Sequence, residues 1–293
     1  MAGVCLLAWC LASRGAQHAV VAGVWDYETP SLKLEAPRND LALMGDLLGD
    51  HDGVGSLTVL ENPTKAELVS AFEAVAAEVA ADDTFLFYFS GHGARIIDKF
   101  GPDPGDEAQG KYPDLDDEAL LPADADLTPP ETYLLDDALG DLIARLPTPR
   151  VNCIIDTCYS GDILKAPRLG PPKGATLASG ARRPGASRPQ DVLDDATDFA
   201  LLLAAAPHNE VVHELRIPVA GRLLPVSGLT YSIYRHAGRM EGSTYRQLSY
   251  AARSDHDEWA LPWSPVLEGP TRRLDEPTGR RRAAPAAARP LPP

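Results

Sequence analysis

Two short segments carry residue types that could do chemistry. Phe89-Ser90-Gly91-His92-Gly93 follows the apolar run Thr84 to Phe89 (TFLFYF), and Asp156-Thr157-Cys158-Tyr159-Ser160-Gly161 follows Val151 to Ile155 (VNCII). Each sets a reactive side chain just past a stretch that reads as a buried strand. A nearby glycine lets the chain turn and leaves backbone N–H groups open to approach. A free thiol titrates at about 8.5 and is mostly protonated at neutral pH. An adjacent imidazole can take that proton and later return one to a leaving amine, a contribution of about 10² to 10⁴ in rate. The developing oxyanion then needs N–H donors, which glycine-rich turns can supply. Cys153 has opposite parity to Cys158 along an extended chain and reads as core packing. His18, His51, His208, His213, His236 and His256 lie outside such turns and read as surface or internally satisfied groups.

The elements that must position these boxes alternate in type. His18 to Trp25, Leu57 to Leu60, Thr84 to Phe89, Val151 to Ile155 and Phe199 to Ala205 are short apolar runs. Runs of this kind suit strands covered on both faces, as in a parallel sheet between helix layers. Thr64 with Glu67 reads as a capping box, followed by Leu68, Phe72, Val75 and Val79 at helical spacing. Leu139, Leu142, Ile143 and Leu146 repeat the pattern before Pro147, and Tyr245, Leu248 and Ala252 follow Ser243. The β-α-β order predicts an α/β domain with right-handed crossovers and a ligand site at the carboxyl ends of its strands. If the strands before the two boxes are neighbours, the histidine and the cysteine converge at that edge. Three segments read as irregular: an acidic loop over 98–126, a Pro/Gly/Ala/Arg linker over 166–190, and a Pro/Ala/Arg tail over 269–293.

Composition narrows the classes. A formal net charge of −15 argues against unaided nucleic-acid binding, which needs clustered Lys and Arg. No apolar run reaches the ~18 residues of a membrane span, so no integral membrane segment is expected. Cysteines at 5, 10, 153 and 158 show neither zinc spacing nor a disulfide framework, which points to a reducing cytoplasm. Residues 1–17 read as a leader. Val4 to Ala12 is apolar with no Lys or Arg before it, a weak signal segment at best, with secretion as the alternative. No Gly-x-Ser-x-Gly elbow of an α/β hydrolase occurs.

FYFSGHGAR and IIDTCYSGD resemble the histidine and cysteine boxes of the caspase-like cysteine peptidases, in particular metacaspases and their bacterial relatives. VVAGVWDY, Arg38-Asn39-Asp40, DLDDEALLPAD, LLDDALGDLIARLP, LLLAAAPHNEVVHE and GLTYSIY fall in the matching order over about residues 18–255. The resemblance implies a caspase-like three-layer α/β/α sandwich with a mostly parallel central sheet. That peptidase domain would run over 18–268, with a large-subunit-like part at 18–165 and a small-subunit-like part at 191–268. It implies Cys158 as nucleophile, His92 as general acid/base, and Gly93 N–H and Cys158 N–H as the oxyanion hole.

The resemblance further implies a primary pocket of Asp40, Ser90 and Asp156 that selects protein or peptide substrates with Arg or Lys before the scissile bond. Carboxylates pair well with guanidinium, and a spacing of two puts Asp156 on the face of Cys158. A caspase cutting after Asp would want arginines there, and Arg38 is the one nearby candidate. Relatives often carry a cleavable segment where 166–190 stands, so Lys173, Arg182, Arg183 and Arg188 are candidate self-cleavage points, against an uncut surface insertion. No cofactor is required. Many metacaspases use calcium, with Asp114, Asp116 and Asp117 as candidate ligands here, although a solvated acidic loop is the favoured reading. Thr157, Tyr159 and Pro37 depart from the usual family residues. The alternative to a peptidase is a catalytically silent caspase-like binding module. The oligomeric state is not legible.

Overall fold

The computed structural model describes residues 15–49, 51–52, 54–97, 116–126, 130–157, 200–205, 212–219, 221–237, 245–261, 264–268 and 280–281. Its centre is β4 (Thr84–Ser90), in which aromatic and aliphatic residues alternate between two buried faces. Phe85, Phe87 and Phe89 point into one hydrophobic cluster, and Leu86 and Tyr88 into the other. This two-sided burial is why the run reads as continuously apolar.

β1 (Gln17–Gly23) and β8 (Val151–Asp156) flank β4, and both run parallel to it. Outside them lie β3 (Val54–Glu61) and β9 (Ala200–Ala204), also parallel. β12 (Val266–Glu268) closes the far edge antiparallel to β9. The order is thus β12-β9-β8-β4-β1-β3. Each apolar run expected as a strand is one, with ends displaced by up to three residues.

Helices cover both faces. α2 (Lys65–Ala76) and α3 (Asp136–Ala144) bury Leu68, Phe72, Val75, Leu139, Leu142 and Ile143 against the Phe85 face. α1 (Ala36–Gly49), α4 (Gly228–Ala237) and α5 (Tyr245–Glu258) bury Leu41, Met44, Leu229, Ile233, Leu248 and Ala252 against the Tyr88 face. The architecture is the expected α/β/α sandwich. The capping box is present: Thr64 accepts from Glu67 N, and the Glu67 carboxylate accepts from Thr64 N. Val79 and Leu146 pack into the core from beyond the helix ends rather than from the helices.

Three smaller ladders were not foreseen. The stretch 98–126 is not a loop throughout. β5 (Gly93–Ile97), β6 (Asp116–Leu120) and β7 (Leu134–Leu135) form an antiparallel sheet, and Glu118, Ala119 and Leu120 are buried. Acidic residues disfavour strands locally, but paired backbone and burial of Ala119 and Leu120 override that preference. β10 (Glu214–Val219) and β11 (Arg222–Ser227) form a hairpin. β2 (His51–Asp52) pairs with β13 (Arg280–Arg281), so part of the tail read as irregular is strand. Among the described residues, no helix is long and apolar enough to cross a membrane.

Candidate active site

Strand register builds the floor of the site. Gly23, Ser90 and Asp156 are partners across β1, β4 and β8 at the carboxyl edge of the sheet. Gly23 carries no Cβ, and one placed there would stand 2.9 Å from the Pro37 carbonyl oxygen. Glycine therefore lets the first turn of α1 settle onto the strand end, which brings Asp40 over Ser90. Asp40 is fully buried. Its Oδ2 accepts from Ser90 Oγ (2.9 Å) and Ser227 Oγ (2.6 Å), and its Oδ1 from Ser227 N (2.9 Å).

Asp156 is buried beside it, at the amino end of α4. Its Oδ2 accepts from Thr230 N (3.0 Å) and Thr230 Oγ1 (2.5 Å). Having given its proton to Asp156, the Thr230 hydroxyl accepts from Tyr88 Oη at 2.7 Å. Asp156 Oδ1 is buried with no hydrogen-bond partner among the described residues. Burial raises both carboxyls. Asp40 stands well above the usual carboxylate range, through desolvation first and the Asp156 charge second. Asp156 is pushed up to about 6 by desolvation, against the lowering effect of the Thr230 bonds. A basic group is the complement that two such carboxylates lack.

His92 lies two residues past β4. Its Nε2 is 2.8 Å from Leu32 O, and a carbonyl only accepts, so Nε2 carries the proton and Nδ1 is left as the basic nitrogen. Burial lowers the His92 pKa, with the Leu32 bond opposing, so the ring is neutral at pH 7. Leu121 N donates to His92 O at 3.1 Å. In antiparallel pairing this makes Gly93 and Leu120 a non-hydrogen-bonded pair, with the Gly93 N–H directed away from β6.

His92, Ser90, Asp156, Ser227 and Pro37 line one cleft of about 350 Å³, with Asp40 directly behind Ser90 and Ser227. No Lys or Arg lines it among the described residues; Arg38 does not reach it. The structure thus brings Asp40, Ser90, Asp156 and His92 together. Cys158, Asp114, Lys173, Arg182, Arg183 and Arg188 lie outside the described residues. Asp116 and Asp117 open β6, and no group of metal-ligating side chains large enough to hold an ion occurs among the described residues.

Of the histidines read as incidental, His18 is buried and satisfied by Ser56 (2.8 Å) and Asp83 (3.0 Å), and His236 pairs with Asp255 at 2.9 Å. His213 is exposed, in keeping with its surface reading, and together with Glu214 at the start of the β10–β11 hairpin it lines the cleft. Tyr27, Leu32, Ser227 and Thr230 were missed. The alternation in Glu214-Leu215-Arg216-Ile217 could have exposed the hairpin. Nothing local marks the other four.

A parallel sheet that delivers a histidine turn and a buried acid pair to one cleft defines a caspase-like α/β protein. The family model for the metacaspase, peptidase C14 domain matches residues 18–167, and the chain belongs to that family. It is 25% identical over 250 residues to Metacaspase-1 of Scheffersomyces stipitis, covering 81% of this chain and 54% of that protein. The chain spans 28% to 54% of the length of the first curated metacaspases it matches. Among solved structures it is similar to a Geobacter sulfurreducens protein, with a TM-score of 0.60 and 19% identity, covering 91% of this chain and 99% of that one. It is also similar to Caspase-1 from Spodoptera frugiperda, with a TM-score of 0.54 and 14% identity, covering 92% of each. These likenesses place the fold in the caspase-like class.

Proposed function

We propose that this chain is a cysteine endopeptidase that cuts after Arg or Lys, with Cys158 as nucleophile and His92 as general acid/base. One observation carries the reading: a single cleft holds a histidine whose Nε2 carries the proton, with Asp156 in its lining, Asp40 behind it, and no Lys or Arg lining it among the described residues. Nδ1 takes the Cys158 thiol proton, and the thiolate attacks the scissile carbonyl carbon. The resulting oxyanion is held by Gly93 N–H and Cys158 N–H. The protonated imidazole gives its proton to the leaving amine as the C–N bond breaks, leaving a thioester. His92 then deprotonates a water, which attacks the thioester and returns the thiol. The basic side chain before the scissile bond donates to Asp156 Oδ1 and to Ser90, with Asp40 holding Ser90 from behind.

The test is hydrolysis of Arg-, Lys- and Asp-terminated fluorogenic peptides by the wild type and Cys158→Ala. Cys158-dependent turnover of the basic peptides supports the reading, and preference for Asp overturns the pocket. No Cys158-dependent turnover of any of them moves the chain to a silent binding module. Self-processing in 166–190, after Lys173, Arg182, Arg183 or Arg188, belongs to the same proposal; a chain still uncut on a gel while peptides turn over rejects it. Calcium support through Asp114, Asp116 and Asp117 is rejected if a chelator leaves activity unchanged. A reducing cytoplasm would keep the Cys158 thiol available.

A further inference from the structure

We infer that Tyr27 is a positioning residue for the His92 imidazole and that Gly91 is glycine in order to admit the Tyr27 hydroxyl. The inference rests on the reading of His92 as general base. The His92 backbone N–H donates to Tyr27 Oη at 2.7 Å, and the two rings pack with centroids 5.1 Å apart at 51°. The β5–β6 register would send that N–H to Leu121, whose own N–H does bond His92 O. The tyrosine hydroxyl thus takes the place of a ladder bond and pulls the histidine turn out of the sheet pattern.

The same segment grips the ring a second time. Leu32, in the short 3-10 turn Pro30–Leu32, accepts from His92 Nε2 at 2.8 Å. Tyr27 and Leu32 are both buried in the core, at 3% and 1% exposure, so neither anchor drifts. The segment is itself tied down, by Leu34 N to Trp25 O (3.1 Å) and Glu28 N to Ala123 O (3.0 Å). Leu34, at its end, lines the cleft. One stretch of chain therefore forms the substrate wall and sets the orientation of the base.

Gly91 fits this role. A Cβ at 91 would stand 2.9 Å from Tyr27 Oη and 3.0 Å from Phe89 Cε1. Any side chain there pushes the hydroxyl off the His92 N–H. The glycine preceding the histidine is thereby explained by the tyrosine 64 residues upstream in the chain.

Proton transfer from a thiol is sensitive to small misplacements of the accepting nitrogen, so the contact should act on turnover rather than on substrate affinity. In the full chain, Tyr27→Phe keeps the ring and removes the oxygen. The expected result is a kcat about tenfold lower with KM for an Arg peptide nearly unchanged. The pH profile of Cys158 alkylation by iodoacetamide should move toward that of an ordinary thiol. Unchanged kcat and alkylation profile, or a loss confined to KM, overturns the inference. Gly91→Ala should reproduce the kcat loss and carries the test if Tyr27→Phe does not fold; a folded Gly91→Ala with wild-type kcat overturns it equally. The two failures are distinguishable. Turnover indifferent to Cys158→Ala sinks the peptidase reading and this inference with it, whereas Cys158-dependent turnover indifferent to Tyr27→Phe sinks this inference alone.

Discussion

Asp156 and Asp40 share a desolvated corner, and each side chain there has a different share of donors. Both Thr230 donors to Asp156 converge on Oδ2, and Oδ1 has no partner among the described residues, whereas both oxygens of Asp40 are engaged. A carboxyl raised in the folded state holds its proton more tightly than in the unfolded chain. The stability it contributes is full below the unfolded value and is lost as pH rises through about 6 for Asp156. In Asp156→Asn the amide oxygen still accepts from Thr230. We expect this variant to be more stable than wild type at pH 8 by about 1–3 kcal/mol and to match it near pH ~4, measured by urea unfolding at both. Turnover of Arg peptides should fall about a hundredfold in kcat/KM. Benzamidine, which reports the pocket without the dyad, should bind wild type more weakly as pH falls through about 6, and Asp156→Asn weakly throughout. Flat binding by wild type would remove the acid pair from the pocket.

At the scale of elements, the β10–β11 hairpin is tied to α1 by polar contacts of unequal worth. Glu214 Oε1 accepts from Glu35 N and Ala36 N, both at 2.7 Å, and places a negative charge at the amino end of α1. Asn39 Nδ2 donates to Pro225 O at 2.7 Å. The Arg216–Glu35 pair is short, 2.6 Å, but more than half exposed on both sides, and such pairs contribute little. Because Ala36, Pro37 and Glu214 all line the cleft, loosening this seam should widen it. Glu214→Ala is expected to cost about 1–2 kcal/mol and to raise KM, while Arg216→Ala stays within about 0.5 kcal/mol with KM unchanged. Denaturant titration with paired kinetics separates the two. Equal effects would mean that the hairpin is not held through the helix terminus.

For the whole molecule, the sheet is the shared wall of two cores, and β4 belongs to both. Phe87 packs edge-on to Phe72 at 4.9 Å and lies beside Cys153 in register, in the strand that also delivers Ser90 and His92. Phe87→Ala should cost about 3–5 kcal/mol in unfolding free energy. Kinetic parameters per folded molecule should change little below the melting transition, since Phe87 itself does not line the cleft, although Tyr27 and Leu32 belong to the same core cluster. A larger change in kcat than in folded fraction would show that the Phe85 face controls the site directly. The parallel strands, the capped α2 and the layer order were legible because each is written locally, in apolar runs, in Thr64 with Glu67, and in β-α alternation. The histidine turn was legible because it follows an apolar run between two glycines, and positions 40, 90 and 156, which the structure sets side by side, came from the family resemblance and its motif order. β6 was not legible, because its Asp and Glu residues become strand only through partners on either side. Nor was the support of the site. Tyr27 and Leu32 grip His92 across 60 and more residues, and Ser227 and Thr230 reach Asp40 and Asp156 across 187 and 74. A hydroxyl or a carbonyl has no sequence signature for such work; its role exists only once packing has brought it within 3 Å of its partner. The chain by itself determined which groups could react and which sheet edge would present them, since both follow from residue type and local periodicity. Which nitrogen of His92 carries the proton, and which oxygen of the acid pair is left without a donor among the described residues, only the tertiary structure decided, because hydrogen-bond geometry between distant segments sets both.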